Sequence, residues 1–396
     1  MNLLYALFVL DILNIAIALP VFSAFVRSVG GSPFTLGLIN SSGALVSLLW
    51  NPIVGSLSDQ VGRKGLLLKC LIASSVGSVI LAASTSVWLV FVGKLVGSLG
   101  SPVGILLRSI VADTYRTSEE KKAFFGKNGF FISVGFLVGS VSSGFLSEAK
   151  NGFAMSFLMM AAVTGISAAL TYYALTPDAK KPKGKKQTDQ SLLRKGALEL
   201  KRVAVDIKSI SWPRYKNLFI IKAGYDLSLT VFTANVGLIM LNEFNIQGRY
   251  MGYFLLMVSL LSIAINLLKM KLKNVFDNIP DLQLVISGCL MLMVSFVGLS
   301  ISTNASMFFV FMVVLCVPRF ILDVKLPEMI TIQTRDDDRG KVLAAFENVM
   351  PLASFLVPAV SELIAEQYGK RIVLISATIP IAVSILVAYT EKSKRQ

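Results

Sequence analysis

Long apolar runs recur along the whole sequence, and their number and length decide what the chain can fold into. A helix that crosses a lipid bilayer needs about 20 consecutive, mostly apolar residues. Of the 396 residues, 54% are hydrophobic and 15% are charged, whereas a typical soluble protein is about one-quarter charged. The sequence therefore predicts an all-α, integral multi-pass membrane protein. We assign twelve spans, at 3–26, 35–57, 66–84, 87–112, 124–147, 153–175, 215–240, 249–268, 283–301, 306–326, 341–363 and 371–390.

A basic, low-complexity segment separates the sixth span from the seventh. It includes the stretch DAKKPKGKKQTDQSLLRKG, whose Lys, Gly and Pro content is typical of a flexible linker. We therefore divide the chain into an N-terminal six-helix bundle at 1–176, a linker at 177–213 and a C-terminal six-helix bundle at 214–396. The two bundles resemble a parallel repeat, because an offset of 215 places Asp11 on Asp226 and Gly37 on Gly252.

Lysine and arginine are concentrated in alternate loops. If both termini are cytoplasmic, 28 of the 38 basic residues lie in the inner loops and the C-terminal tail, as the positive-inside rule requires. The formal net charge of +15 is then a signal of topology, and nucleic-acid binding is not needed to explain it. Anionic lipid is an expected partner of the linker, although a linker that is merely solvated fits equally well. We expect a monomer.

The loop between the second and third spans reads Gly-Ser-Leu-Ser-Asp-Gln-Val-Gly-Arg-Lys. Gly55 allows its helix to approach a neighbour closely, and Asp59 can cap a helix N-terminus. Gly62 permits the positive φ of a tight turn. Arg63 and Lys64 can anchor the loop to carboxylates and lipid phosphates. This spacing matches the G-x-L-x-D-x-x-G-R-[KR] signature of the major facilitator superfamily, and the match implies the major facilitator fold of two pseudo-symmetric six-helix bundles.

Further segments resemble the tetracycline-efflux branch of drug:proton antiporters and its animal relative among the organic cation solute carriers. These segments are LDILNIAIALPVF, WLVFVGKLVGSLG with IVADTYRTSEEKKAFFG, and RDDDRGKVLAAFENVMPL. By this resemblance, Asp11 matches the helix-one aspartate and Asp113 should bond Arg63. The chain departs from the branch in its fifth span, where the antiporter proline is absent after Gly139, and in its fourth, where Lys94 replaces the usual arginine.

Charged residues inside the spans are the candidate functional groups, because a charge in the bilayer is costly and is retained mainly for function. A carboxyl in such surroundings can exchange a proton near neutral pH. Structural hydrogen bonds or ion pairs are the alternative reading for each of them. We predict proton coupling at Asp11, Asp226 and Asp323. Substrate contacts are predicted at Asp11, Asn14, Lys94, Lys222, Asp226, Arg319 and Asp323. A conformational gate is predicted at Gly55, Asp59, Gly62, Arg63, Lys64, Arg108, Asp113, Glu328 and Glu347.

These features predict a secondary active transporter that works by alternating access and is coupled to protons. Carboxylates in the spans favour a small organic solute of the amphipathic cation or drug-like class, although the embedded bases leave an organic anion open. A facilitative uniporter, favoured by the altered fifth span, and a transport-deficient binding or regulatory protein are the alternatives. The sequence lacks histidine, a P-loop and metal-ligand spacings, so we expect neither an enzyme nor a cofactor.

Overall fold

A computed structural model describes residues 2–115, 117–175, 201, 205, 208–246, 248–277, 279–334 and 339–395. The regular structure of these residues is entirely α-helical. Most of the predicted linker lies outside the described residues. The helices are α1 (Asn2–Ser28), α2 (Pro33–Val61), α3 (Arg63–Ala82), α4 (Val87–Ser98), α5 (Val103–Thr114), α6 (Ser118–Leu146), α7 (Gly152–Ala174), α8 (Trp212–Glu243), α9 (Arg249–Asp277), α10 (Asp281–Ile301), α11 (Ala305–Gln333), α12 (Arg339–Glu347), α13 (Val349–Tyr368), α14 (Lys370–Ser376) and α15 (Thr378–Arg395).

Eleven of the twelve predicted spans are helices long and apolar enough to cross a membrane. The eighth predicted span is also a helix, α9. Its apolar stretch within the described residues is shorter, at Arg249–Leu261. The predicted all-α membrane fold is therefore confirmed.

Three predicted spans are each built from two consecutive helices, because proline interrupts them. Proline has no N–H, and its ring clashes with the carbonyl of the residue four positions earlier. The helices α4, α12 and α14 each end four residues before a proline, at Pro102, Pro351 and Pro380 respectively. Pro20 and Pro52, by contrast, lie inside continuous helices.

The described residues form two compact units, and each has its own core. The first unit contains residues 1–32, 42–203 and 246–260, and the second contains 33–41, 204–245 and 261–396. In the first unit, α1 packs on α6 and α7, and α3 packs on α7 and α4. In the second unit, α8 packs on α13 and α15, and α10 packs on α15 and α11. The same pattern of helix pairs therefore occurs in both units, as expected for a parallel repeat.

Small residues spaced four apart bring α6 against α1 in the first unit. A Cβ at Gly135 would lie 2.9 Å from the carbonyl oxygen of Val9, and one at Gly139 would lie 2.7 Å from that of Leu13. One turn further on, the Ser143 hydroxyl donates to the carbonyl of Ile17 at 2.6 Å. These small residues thus serve close helix packing, which fixes α1 and its Asp11 within the unit.

Candidate functional site

Two linked charge pairs form a polar cluster in the second unit, which we call the α8–α11 cluster. Lys222 and Asp226 lie one turn apart on α8, and the Lys222 ammonium donates to an Asp226 carboxylate oxygen at 2.7 Å. Tyr225, beside Asp226 in sequence, donates its hydroxyl to Asp323 of α11 at 2.6 Å. Asp323 also faces Arg319, whose Nε lies 3.5 Å from a carboxylate oxygen of Asp323. The tyrosine therefore joins the two helices at the level of both ion pairs.

The two pairs differ in their exposure. Lys222 and Asp226 are 8% and 1% exposed, so their charges are held inside the protein. The side chains of Arg319 and Asp323 are 45% and 47% exposed, although both lie near the middle of a 29-residue apolar helix. Charged groups at such a depth are compatible with a membrane only where they face water or other polar groups. Exposure of this pair therefore indicates a face of α11 that lines a hydrated space.

An excess of negative charge characterises this cluster. The charges of Asp323 and Glu347 both act on Asp226, which places Glu347, the last residue of α12, within electrostatic range. The bases are Lys222 and Arg319, so three carboxylates stand against two cations when all are ionised. One carboxylate oxygen of Asp226 has no hydrogen-bond donor among the described residues.

Asp11 lies near the middle of α1, in the first unit, and faces α5. A Cβ at Gly104 would lie 3.5 Å from a carboxylate oxygen of Asp11, an ordinary van der Waals distance, so α5 passes directly beside the carboxyl. Arg108, one turn along α5, is the base whose charge acts on Asp11. Within the described residues no ion pair involves Asp11, and the Asn14 side-chain oxygen has no donor. The acid, the amide and Arg108 thus form a second polar site, which we call the α1–α5 site.

Lys94 lies apart from Asp11. Its ammonium stands 4.7 Å from the centroid of the Phe22 ring. Phe22 is eleven residues beyond Asp11 on α1, or about 16 Å along the helix axis. Lys94 is only partly buried, and it makes no ion pair within the described part of the chain. It is held by a cation–π contact, at a different depth from the α1–α5 site.

The signature loop ties three helices of the first unit together. The Nε of Arg63 lies 2.9 Å from a carboxylate oxygen of Asp113 at the end of α5, which is the contact expected from the resemblance. Lys64 donates to the carbonyls of Tyr172 and Leu175 and so caps the C-terminus of α7. A cation at this end of a helix offsets unpaired carbonyls and the helix dipole. Gly62 has a φ of 101°, as the turn requires.

One prediction for this loop needs correction. No described atom lies within 4 Å of a Cβ built on Gly55, so Gly55 does not mediate the close helix approach that we expected. Gly62 occupies the N-cap position of α3. Asp59 lies in the last turn of α2, and its side chain, on which the predicted helix cap depends, is outside the described part of the chain.

Two further residues predicted for the gate, Arg108 and Glu328, lie away from the signature loop. Arg108 acts on Asp11 instead of joining the loop contacts. Glu328 accepts from Lys325 at 3.1 Å, and Lys325 also binds Asp281 at the start of α10 at 3.0 Å. Glu328 therefore belongs to an ion-pair network at the helix end and is separate from the α8–α11 cluster.

Sequence reasoning missed two residues, Tyr225 and Glu362. Tyr225 could have been found, because it neighbours Asp226 in an apolar helix and its hydroxyl needs a partner when buried. Glu362 is 1% exposed in α13 and was hidden by its position near the expected end of a span.

Comparison with known proteins agrees with this architecture. A family model for the Major Facilitator Superfamily matches residues 4–322. The class B tetracycline resistance protein of Escherichia coli is 30% identical over 142 residues, which is 35% of this chain and 35% of that protein. This match therefore spans about a third of that relative's length. Solute carrier family 22 member 18 of Mus musculus is 23% identical over 375 residues, covering 93% of this chain and 90% of that protein.

Among solved structures, the crystal structure of the human organic anion transporter MFSD10 is similar, with a TM-score of 0.69. It is 14% identical in sequence, and the match covers 98% of each chain, so the likeness concerns the fold. The resemblance predicted from the signature loop and the tetracycline-efflux segments is confirmed.

Proposed function

Because this chain belongs to the Major Facilitator Superfamily, and is thus a secondary transporter and not an enzyme, we propose that it exchanges protons for a small organic cation. The observation that carries the proposal is the half-exposed Arg319–Asp323 pair at the middle of α11, linked through Tyr225 to a buried second pair. Charges that face a hydrated space at mid-depth are suited to meeting a solute inside the membrane.

The charge balance of the α8–α11 cluster supports a cation as the substrate. Its carboxylates outnumber its bases by one, so a bound cation would neutralise the excess. Aromatic surfaces lie beside the charges, because the Lys222 ammonium is 5.6 Å from the Tyr225 ring centroid and 5.8 Å from that of Phe346. An amphipathic cation would find both a negative field and ring faces there.

Asp11 is the carboxyl to which we assign the coupled proton. Asp226 and Asp323 remain candidates, but each is ion-paired, whereas Asp11 makes no ion pair within the described residues. The neighbouring Arg108 supplies a positive charge that can take the place of the proton when it leaves. Several relatives are by name tetracycline resistance proteins, which fits a drug-like solute.

An organic anion is the second candidate substrate. Lys94 offers a cation outside any described ion pair, and one structural neighbour is by its title an organic anion transporter. A facilitative uniporter is a further candidate, because Lys222 and Asp226 neutralise each other in a direct ion pair and the fifth-span glycines serve packing.

Purified protein in liposomes with an imposed pH gradient separates these possibilities. Ethidium serves as the cation probe and p-aminohippurate as the anion probe. We expect gradient-driven ethidium flux and none of p-aminohippurate. The reverse preference would favour the anion, and flux that follows only the solute gradient would favour the uniporter.

We further propose that both termini are cytoplasmic, that the chain acts as a monomer and that the linker at 177–213 binds anionic lipid. The distribution of Lys and Arg among the loops supports the proposed topology and the lipid contact. Hydrophilic tags at Lys185 and at Lys150 should be accessible from opposite faces of a sealed vesicle. Access from one face would overturn the proposed topology.

A further inference from the structure

A buried carboxyl in the second unit lies outside both sites described above. Glu362 in α13 is 1% exposed, and neither of its carboxylate oxygens accepts a hydrogen bond from any described residue. Its sequence neighbour Ser361 is satisfied by Asn235 of α8, which donates at 3.0 Å. The side-chain oxygen of Asn235 likewise has no donor among the described residues.

The charged groups that act on Glu362 lie in the last turn of α13 and at the start of the next helix. Gly369, with a φ of 84°, reverses the chain after α13, and α14 then begins at Lys370, which is 8% exposed. The charges that act on Glu362 are those of Lys370 and of Glu366, one turn further along α13. Glu366 is exposed and accepts from the backbone N–H of Phe34 at 3.0 Å.

The other described elements that bond α13 near Glu362 do so through neutral polar groups. From the segment 33–41, the Ser41 hydroxyl oxygen accepts from the backbone N–H of Ala359 at 3.2 Å. From α8, Asn235 donates to Ser361. An ionised carboxylate that is buried without donors is strongly disfavoured, whereas a protonated carboxyl in the same place carries no charge.

We propose that Glu362 is a proton-binding site of this protein, separate from Asp11 and from the α8–α11 cluster. In the conformation described here the carboxyl holds its proton. When the proton is released, the O–H bond breaks, the proton passes to water, and the positive charge of Lys370, which acts on Glu362, offsets that of the carboxylate. Asn235, which bonds the residue before Glu362, lies nine residues from Asp226 along α8, or about 13 Å. Glu362 and Asp226 therefore do not share a proton.

The role of this site in transport rests on the proposed proton coupling, but the site itself does not. Infrared difference spectroscopy on the full chain in liposomes tests it directly, because a protonated carboxyl has a C=O stretch that an ionised one lacks. The matched control is Glu366→Gln, which removes an exposed carboxyl one turn away.

We expect a protonated-carboxyl band in the wild type at neutral pH that is lost in Glu362→Gln and retained in Glu366→Gln. Glu362→Asp keeps an acid at this position, and its band should be displaced, which gives a readout if the glutamine variant does not fold. A wild-type band that all three variants leave unchanged, or no such band in the wild type, would overturn the proposal.

Ethidium flux in the same liposomes separates the two proposals. If Glu362 carries a transported proton, ethidium flux should lose part of its pH dependence in Glu362→Gln. The pH dependence should be retained in Glu366→Gln. The infrared band could be lost in Glu362→Gln while the wild type shows no proton-coupled flux. That outcome would uphold the proton-binding site and reject the proposed function.

Discussion

Gly37 of α2 lies directly against Pro358 of α13, and a Cβ at residue 37 would stand 2.6 Å from the proline carbonyl oxygen. A related crossing occurs in the first unit, where a Cβ at Gly144 of α6 would stand 2.9 Å from the Cα of Gly252. Gly252 follows Gly37 by 215 positions, the offset that relates Asp11 to Asp226. Gly37 and Gly252, which are equivalent positions of the repeat, thus each lie at a close helix crossing.

Valine at either crossing should destabilise the conformation described here. Gly37→Val and Gly144→Val both force side-chain atoms into backbone, and overpacking of this kind costs about 1–3 kcal/mol. Thermal unfolding of the purified variants measures the effect. Gly165→Val is the matched control, because no described atom lies within 4 Å of a Cβ at that position. Equal melting temperatures for all three variants would contradict the close crossings.

The Arg63–Asp113 pair should matter more for transport than for stability. Asp113 is 57% exposed, and an exposed ion pair contributes at most about 1 kcal/mol to folding. If the pair locks one conformer, Asp113→Asn should slow ethidium flux by about tenfold with little change in melting temperature. The double variant with Arg63→Gln should be no slower than the single ones. Additive losses would show that the two side chains act independently.

Tyr225→Phe should weaken cation binding through Asp323. The hydroxyl donates to Asp323 at 2.6 Å, and a hydrogen bond to a charged group contributes about 1.5–3 kcal/mol. Its loss frees the carboxylate to move, so we expect the KM for ethidium to rise about tenfold while the protein remains folded. Tyr389→Phe, at an exposed position of α15, is the control. An unchanged KM in Tyr225→Phe would remove Asp323 from the binding site.

Most of the fold followed from the apolar runs, because the length of a bilayer-spanning helix constrains the sequence strongly. The breaks at Pro102, Pro351 and Pro380 were harder to predict, since Pro20 and Pro52 carry the same local signal and lie in continuous helices. Whether neighbouring groups compensate for the lost hydrogen bond is a tertiary property.

The sites were predictable only where partners lie on one helix. Spacing alone gave the Lys222–Asp226 and Arg319–Asp323 pairs, because residues four apart share a helix face. The link through Tyr225 and the approach of Arg108 to Asp11 depend on how separate helices pack. Gly55 shows the opposite error, since a motif position suggested packing that the described residues do not make.

Proton movement driven by a cation gradient tests the central claim most directly. Liposomes are loaded with ethidium, no pH gradient is imposed, and a pH-sensitive dye follows protons on dilution. The account predicts proton movement opposite to ethidium in the wild type, and none in Asp11→Asn, whose folding thermal unfolding would verify. Ethidium flux without proton movement in the wild type, or coupling that Asp11→Asn leaves unchanged, would contradict it.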